Sequence, residues 1–266
     1  MNAPKPVLQI LRVDDLAIDP SYQKSSIRKA LVQRIIENLD EGLLGELIVN
    51  QRTEARKYYV IDGQHRMLAL RHLKVPDVRC MVYAKLTLEE EARKFYEWNN
   101  NDSRKPTKPG ENFKARITAK EPTALDITNI VYGLGLKIAF HGGGAANSTI
   151  ASVSTLERIY KELGRDVLLR TLFLIKNSWN GDATALQYGF LNGISCFIEQ
   201  AGEYFDNKDF IDKFKKIDPE KIFREAGGLA KFSKSKSQIF AKVICFYYNK
   251  NRKLDKIPES LFSDVA

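Results

Sequence analysis

Residues 58–69, Tyr58-Tyr59-Val60-Ile61-Asp62-Gly63-Gln64-His65-Arg66-Met67-Leu68-Ala69, restrict the fold more than any other stretch of this chain. A run of aromatic and β-branched side chains stops at Asp62-Gly63, and Met67, Leu68, Leu70 and Leu73 then recur at helical spacing. The backbone must therefore leave a strand, turn through one glycine and begin a helix. Amide N–H groups without intrahelical partners and the positive end of the helix dipole converge at such a junction. Gly63 lets a ligand approach the backbone closely, and Arg66 offers phosphate a planar fork of donors. Two readings fit these residues taken alone: a phosphate cradle, and an ordinary strand–helix turn with solvated charges.

The pattern around this junction alternates strand and helix up to about residue 120. Lys57–Asp62 and Val78–Tyr83 are rich in β-formers, and Leu47–Arg52 reads as a third strand. Val32, Ile35, Ile36 and Leu39 outline a helix, and Thr87-Leu88-Glu89-Glu90 is a capping box opening another, with Leu88, Ala92, Phe95 and Tyr96 as its core stripe. Pro106 and Pro109 are expected to keep the chain extended before a helix starting at Glu111. Beyond residue 120 the chain turns mostly helical. Leu136–Phe140 alternates like a short strand, and His141-Gly142-Gly143-Gly144 reads as a mobile hairpin tip. Helices are expected around 153–163, closed by Gly164, and over 167–175, 186–205 and 239–247.

Composition narrows the classes of partner. A chain of 266 residues, 44% apolar, can bury one good core or two modest ones. A net charge of +9 and a pI near 9.3 favour a polyanion. No apolar run approaches the ~18 residues needed to span a bilayer, and no signal-peptide pattern opens the chain, so no membrane partner and a cytoplasmic location are expected. Cys80, Cys196 and Cys245 are few, odd in number and set among apolar neighbours, and read as buried free thiols. With no Cys-x-x-Cys or His-x-x-x-His pairing, nothing points to structural zinc.

The 58–69 segment resembles the glycine–acid–Arg–Arg box of the ParB/sulfiredoxin superfamily, in the Asp-Gly-Gln-His-Arg form of ParB-like (ParB-like nuclease) domains of phage and plasmid proteins. Its flanks agree. Val13–Lys24 is similar to the family's opening "Leu…Pro-x-Gln-x" strand and turn, with Gln23 in the second motif, and Gly42–Val49 is similar to its "Gly-Leu…Val" approach to a strand. Asn101-Asp102-Ser103-Arg104 stands where ParB proteins have Asn-x-Gln-Arg, and Glu111 follows seven residues later, at the family's spacing. The resemblance covers roughly residues 8 to 117 and consists of four boxes in the right order.

It implies an α+β fold, with a small mixed-sheet ParB/sulfiredoxin-like domain over 1–120 and a mainly helical region over 121–266 for DNA binding or dimerisation. It also implies that Gly63, Gln64, His65, Arg66, Gln23, Asn101 and Arg104 surround a nucleoside triphosphate (CTP or ATP), with Mg²⁺ held by Asn101 and Glu111. The chain departs from the pattern at Asn100 and Ser103, where ParB proteins carry Glu and Gln; the lost carboxylate and amide bear on metal affinity and turnover. Sulfiredoxin chemistry is excluded, because Gln64 stands where that branch has its nucleophilic Cys. His65, at a helix start, is expected to hydrogen-bond as a neutral ring.

Lysine dominates the C-terminal stretch. Lys231, Lys234, Lys236, Lys242, Lys250, Arg252 and Lys253 form a run that reads either as a solvated helix face or as a phosphate-neutralising DNA contact, and the resemblance favours DNA. The resulting expectation is a ParB-like DNA-binding protein, homodimeric and responsive to bound nucleotide, in partition or transcriptional control. The alternatives are a metal-dependent nuclease, with Asp62, Asn101 or Glu111 holding the ion, and a protein-binding regulator with a degenerate pocket; weak CTP or ATP hydrolysis stays open.

Overall fold

The computed structural model describes residues 5–23, 27–40, 42, 44–53, 57–100, 108–140, 146–229 and 235–262. The chain divides into two compact units, Met1–Ala124 and Leu125–Ala266.

The first unit is built on a five-stranded mixed sheet. Its strands are β1 (Val7–Arg12), β2 (Leu16–Ala17), β3 (Leu47–Gln51), β4 (Tyr58–Asp62) and β5 (Asp77–Ala84), in the spatial order β1-β5-β3-β4-β2. β5 runs parallel to β3 and β2 parallel to β4, while β1/β5 and β3/β4 are antiparallel, with a register shift at Ile48/Val49. Side chains alternate across this sheet as strand geometry requires. Leu47, Val49, Val60, Val78, Cys80 and Val82 share one cluster with Met67 and Leu70 of α2 (Gln64–His72). Ile48, Ile61 and Tyr83 point the other way, into a cluster with Ala92 and Phe95 of α3 (Leu88–Asn99) and Ala115 of α4 (Pro109–Thr118). Helices thus cover both faces of the sheet, and β4, between β3 and β2, leads through Gly63 into α2. One further helix, α1 (Lys29–Glu37), packs beside α2.

Local signals are realised where the chemistry is local. Thr87 caps α3 reciprocally with Glu90: Glu90 N–H donates to Thr87 Oγ1 at 3.2 Å, and Thr87 N–H to Glu90 Oε2 at 2.8 Å. Pro109 does not hold the chain extended; it is the first residue of α4, where its missing N–H costs nothing.

The second unit is mainly helical. The division between units falls within α5 (Pro122–Gly133); after it come α6 (Val153–Leu163), α7 (Arg165–Trp179), α8 (Tyr188–Ala201), α9 (Asn207–Phe214), α10 (Pro219–Leu229) and α11 (Lys236–Asn249). Two short strands, β6 (Lys137–Ile138) and β7 (Thr149–Ile150), pair parallel. This corrects the hairpin expected there, since a hairpin joins antiparallel strands; His141–Gly144 lie outside the described residues. The core is aromatic: Trp179 meets Phe190, Phe210 and Phe214, and Phe197 meets Phe205, Tyr248 and Phe262. α8 and α11 approach closely at Gly193, where a Cβ would fall 2.3 Å from Phe240 Cβ. α9 and α10 had no counterpart among the expected helices, because only Phe210, Phe214, Ile222 and Ala226 are buried on them and charged residues fill the rest.

No described helix is long and apolar enough to cross a membrane. The three cysteines are buried and unpaired. Burial pushes the Cys80 and Cys245 thiols up to about 12 and Cys196 to about 11, so all three stay protonated and unreactive at neutral pH.

Candidate functional site

β4 ends at Asp62, and Gly63 turns the chain into α2 with φ +105° and ψ 17°, a left-handed conformation at the helix N-cap. A Cβ at Gly63 would lie 2.4 Å from Leu47 Cδ2 and 3.2 Å from Arg66 Nη2, so any other residue here meets crowding as well as torsional strain. A cavity of about 230 Å³ opens at this turn. Its walls are Ile61 to Arg66, Gln23, Leu31 and Ile35 of α1, and Phe95 and Asn99 of α3. Gly63, Gln64, His65, Arg66 and Gln23, expected together from the sequence, are therefore brought together. Asn101 and Arg104 lie outside the described residues, two and five positions beyond Asn99.

Each side chain has a defined task there. Gln23 donates both Nε2 hydrogens to β4, to Val60 O at 2.6 Å and Ile61 O at 2.8 Å. It positions the wall of the cavity rather than offering an amide to it. His65 Nε2 accepts from the Arg28 N–H at 3.2 Å, which requires an unprotonated Nε2 and ties the start of α1 to the start of α2. Arg66 departs from expectation. Its Nη1 donates to Leu44 O at 2.9 Å and Glu46 O at 3.0 Å, and its Nη2 to Asp62 Oδ2 at 2.9 Å. Three of the five guanidinium donors thus satisfy the protein's own acceptors, because the segment before β3 leaves carbonyls that no ladder pairs. Arg66 braces the cradle, leaving its Nε–H and one Nη2 hydrogen outside these bonds.

Glu111 is buried on α4 and does not line the described part of the cavity. Asp62, the carboxylate in the lining, is paired with Arg66, and no group of three or more His, Cys, Asp or Glu able to hold a metal occurs among the described residues. The lining suits phosphate oxygens, with a glycine turn, a helix start, an imidazole and an arginine. It offers Mg²⁺ no uncommitted carboxylate, so an ion at this site would depend on phosphate and water oxygens.

Sequence reasoning missed the polar network behind this wall. Glu91 of α3 is completely buried, and its carboxylate accepts from Asn50 Nδ2 at 2.6 Å, Arg52 Nε at 2.8 Å and Tyr22 OH at 3.1 Å. Arg52 also pairs with Asp19 at 2.7 Å and lies 3.7 Å over the Tyr59 ring. The network ties Asp19 and Tyr22 to the end of β3 and to α3, while Gln23 itself bonds β4. No local signal marks it, since its members are up to 72 positions apart.

The same contacts give the stability a pH dependence. Burial raises Asp19, but hydrogen bonds from the Ser21 hydroxyl, Arg52 and the Ser21 amide outweigh it and hold the carboxyl below its ordinary 3.8. Glu121 is likewise held below 4.5, its burial outweighed by the Ala124 amide and Arg116, and Asp126 is lowered by Arg165 and Tyr160. Groups lowered in the folded state stabilise it fully above their unfolded values, and that contribution is lost as pH falls through the folded ones. The urea midpoint is expected to stay flat from neutrality to about pH 5 and to drop below about pH 4. A drop beginning near pH 6 would implicate histidine instead.

Among the described residues, the C-terminal cations do not line one cavity. α11 is mostly interior, burying Phe240, Ala241, Val243, Ile244, Cys245, Tyr247 and Tyr248, so its lysines emerge on different sides. Lys236 borders a cavity with Tyr188 and Phe240, Lys242 a second with Leu229 and Phe246, and Lys250 a third. Arg252 is engaged internally with Asp209 and lies 4.4 Å over the Tyr248 ring. Lys253 is exposed, and Lys231 and Lys234 lie outside the described residues. A charge run in sequence is scattered here by helix geometry.

A glycine-turned strand–helix junction on a mixed sheet, opening a small cavity of mixed polar and apolar lining, is the class of site this chain presents. The chain belongs to a family of unknown function (DUF6551), whose model matches residues 19–260. No curated protein matches it. Among solved structures it is similar to a Pnob8-like ParB-N domain, at 14% identity, covering 92% of this chain and 100% of that one with a TM-score of 0.41. It is also similar to the C-terminally truncated chromosome-partitioning protein ParB from Caulobacter crescentus. In that protein's complex with the centromeric parS site the values are 13% identity, 88% and 97% coverage and a TM-score of 0.37. In its complex with CTP-gamma-S they are 12%, 82%, 97% and 0.31. TM-scores of this size do not establish a shared fold.

Proposed function

We propose that the first unit binds a nucleoside triphosphate, CTP or ATP, in the cavity at Gly63–Arg66, and that the protein is a ParB-like, nucleotide-responsive DNA-binding protein. The observation that carries this reading is the convergence of Gly63, Gln64, His65 and Arg66 with Gln23 around one cavity at the N-terminus of α2. Phosphate oxygens suit first-turn amides and the positive helix end, and Gly63 removes the side chain that would block their approach. The arrangement of the four sequence boxes supports the same reading. Mg²⁺, where present, would arrive with the phosphates. Bound nucleotide would favour one arrangement of the protein over another, and self-association into a homodimer is the change expected. Partition and transcriptional control both fit such a switch.

Calorimetric titration of the full chain with CTP, ATP and GTP in the presence of Mg²⁺ tests this. Binding of one triphosphate is expected, and Gln64→Glu, which keeps the shape and adds a negative charge to the lining, should weaken it by at least about tenfold. Absence of heat with every nucleotide, or equal affinity in the variant, would refute the site.

A further inference from the structure

A second gathering of cations in the second unit lies mostly outside the C-terminal lysine stretch. Lys213 near the end of α9, Lys216 just after it, Lys221 in the first turn of α10 and Lys250 after α11 line one cavity of about 350 Å³, together with Ile217, Asp218, Tyr247 and Asn251. Four ammonium groups face one carboxylate, and that carboxylate, Asp218, accepts from the Glu220 N–H at 3.0 Å at the start of α10. The other nearby acids are held elsewhere. Glu220 accepts from Thr184 Oγ1 at 2.7 Å, Glu225 takes the Tyr247 hydroxyl at 2.8 Å, and Asp209 pairs with Arg252.

Among the described residues no carboxylate forms an ion pair with Lys213, Lys216, Lys221 or Lys250. Lys221 stands at the positive end of α10, where the helix dipole disfavours a cation. The Lys213 ammonium donates to Tyr248 O and is partly offset by Asp209, but burial and the neighbouring Arg252 depress it on balance. Positive charge thus exceeds negative charge around this cavity, and an anion there would relieve it.

We propose that this lysine-lined cavity seats the phosphodiester backbone of duplex DNA. The lining selects among polyanions. It offers point charges rather than arginine forks, so it reads no base, and Tyr247 is buried with Lys221 5.8 Å over its ring, leaving no platform for an unpaired base to stack on. None of the exposed large apolar side chains lines it, so it lacks the anchors of a membrane-surface site. This inference rests on the DNA-binding half of the proposed function and gives that half a location.

The test measures anisotropy of a labelled duplex of arbitrary sequence with the full chain across about 50 to 200 mM salt. Lys216→Glu with Lys250→Glu is expected to weaken binding at least tenfold and to flatten the salt slope by about 1.8, two contacts at ~0.9 each. Lys236→Glu with Lys242→Glu, the same charge change at other cavities, should leave most of the affinity. If the first pair alters the melting temperature, Lys216→Gln with Lys250→Gln is compared by slope alone, with a loss of about the same size expected. Equal losses for both pairs, or none for the first, overturn the site. So does cavity-dependent binding to phosphatidylserine vesicles with unchanged DNA binding. Absence of any DNA binding by the wild type removes the DNA half of the proposed function as well, whereas nucleotide titration reports separately on the first unit.

Discussion

Arg52→Ala is expected to lower the unfolding free energy of the first unit by about 3 kcal/mol. Glu91 is wholly buried, and Arg52 supplies the positive charge that faces it, through Nε at 2.8 Å and Nη2 at 2.5 Å. Removing the guanidinium leaves a carboxylate among apolar neighbours with only Asn50 and Tyr22 to solvate it. The cost is that of stranding a charge, not of losing one bond. Replacing the set by apolar groups of similar size (Arg52→Met, Glu91→Leu and Tyr22→Phe together) should therefore recover most of the loss. Urea unfolding, with hydrogen exchange at β3 and β4 amides, measures both. A loss under about 1 kcal/mol in Arg52→Ala, or a triple variant no better than the single, would show that water reaches Glu91 and carries its charge.

Gly63→Ala should cost about 2–4 kcal/mol, from two separable causes. A non-glycine residue at φ +105° is strained, and the new Cβ would meet Leu47 Cδ2 at 2.4 Å. Leu47 is a fully buried strand residue in the β-sheet core, so it has little room to retreat. Adding Leu47→Val removes the clashing methyl group and leaves the torsional strain. The two substitutions should therefore be non-additive by about 1–2 kcal/mol in the favourable direction. Strict additivity would mean that the turn shifts rather than clashes. Because the same Cβ would approach Arg66 Nη2 at 3.2 Å, the variant should also weaken triphosphate binding, including in the stability-restored double variant.

Much of the first unit was legible because its signals are local. Runs rich in β-formers placed β3, β4 and β5 to within a residue or two at most ends, and Thr87 with Glu90 marked the start of α3. The clustering of Gly63 to Arg66 needed only a strand, a turn and a helix in succession, and Gln23 reached them from the opening strand-and-turn box. The weakly patterned elements were not legible. α9 and α10 bury two residues apiece, too few for a periodic stripe, and β2 is two residues long.

The sequence by itself determined that a strand must end at Gly63 and a helix begin there, because torsion and side-chain periodicity act between neighbours. Tertiary structure alone decided what the charged groups do. Arg66 turns to the carbonyls of Leu44 and Glu46, some twenty positions earlier, and Glu91 is buried against Arg52 from a different element. The C-terminal lysines part company around a buried helix, while Lys213, Lys216 and Lys221 join Lys250 from across the second unit. A charge is long-ranged and indifferent to chain order, so its partner is set by which surfaces the packed core brings face to face.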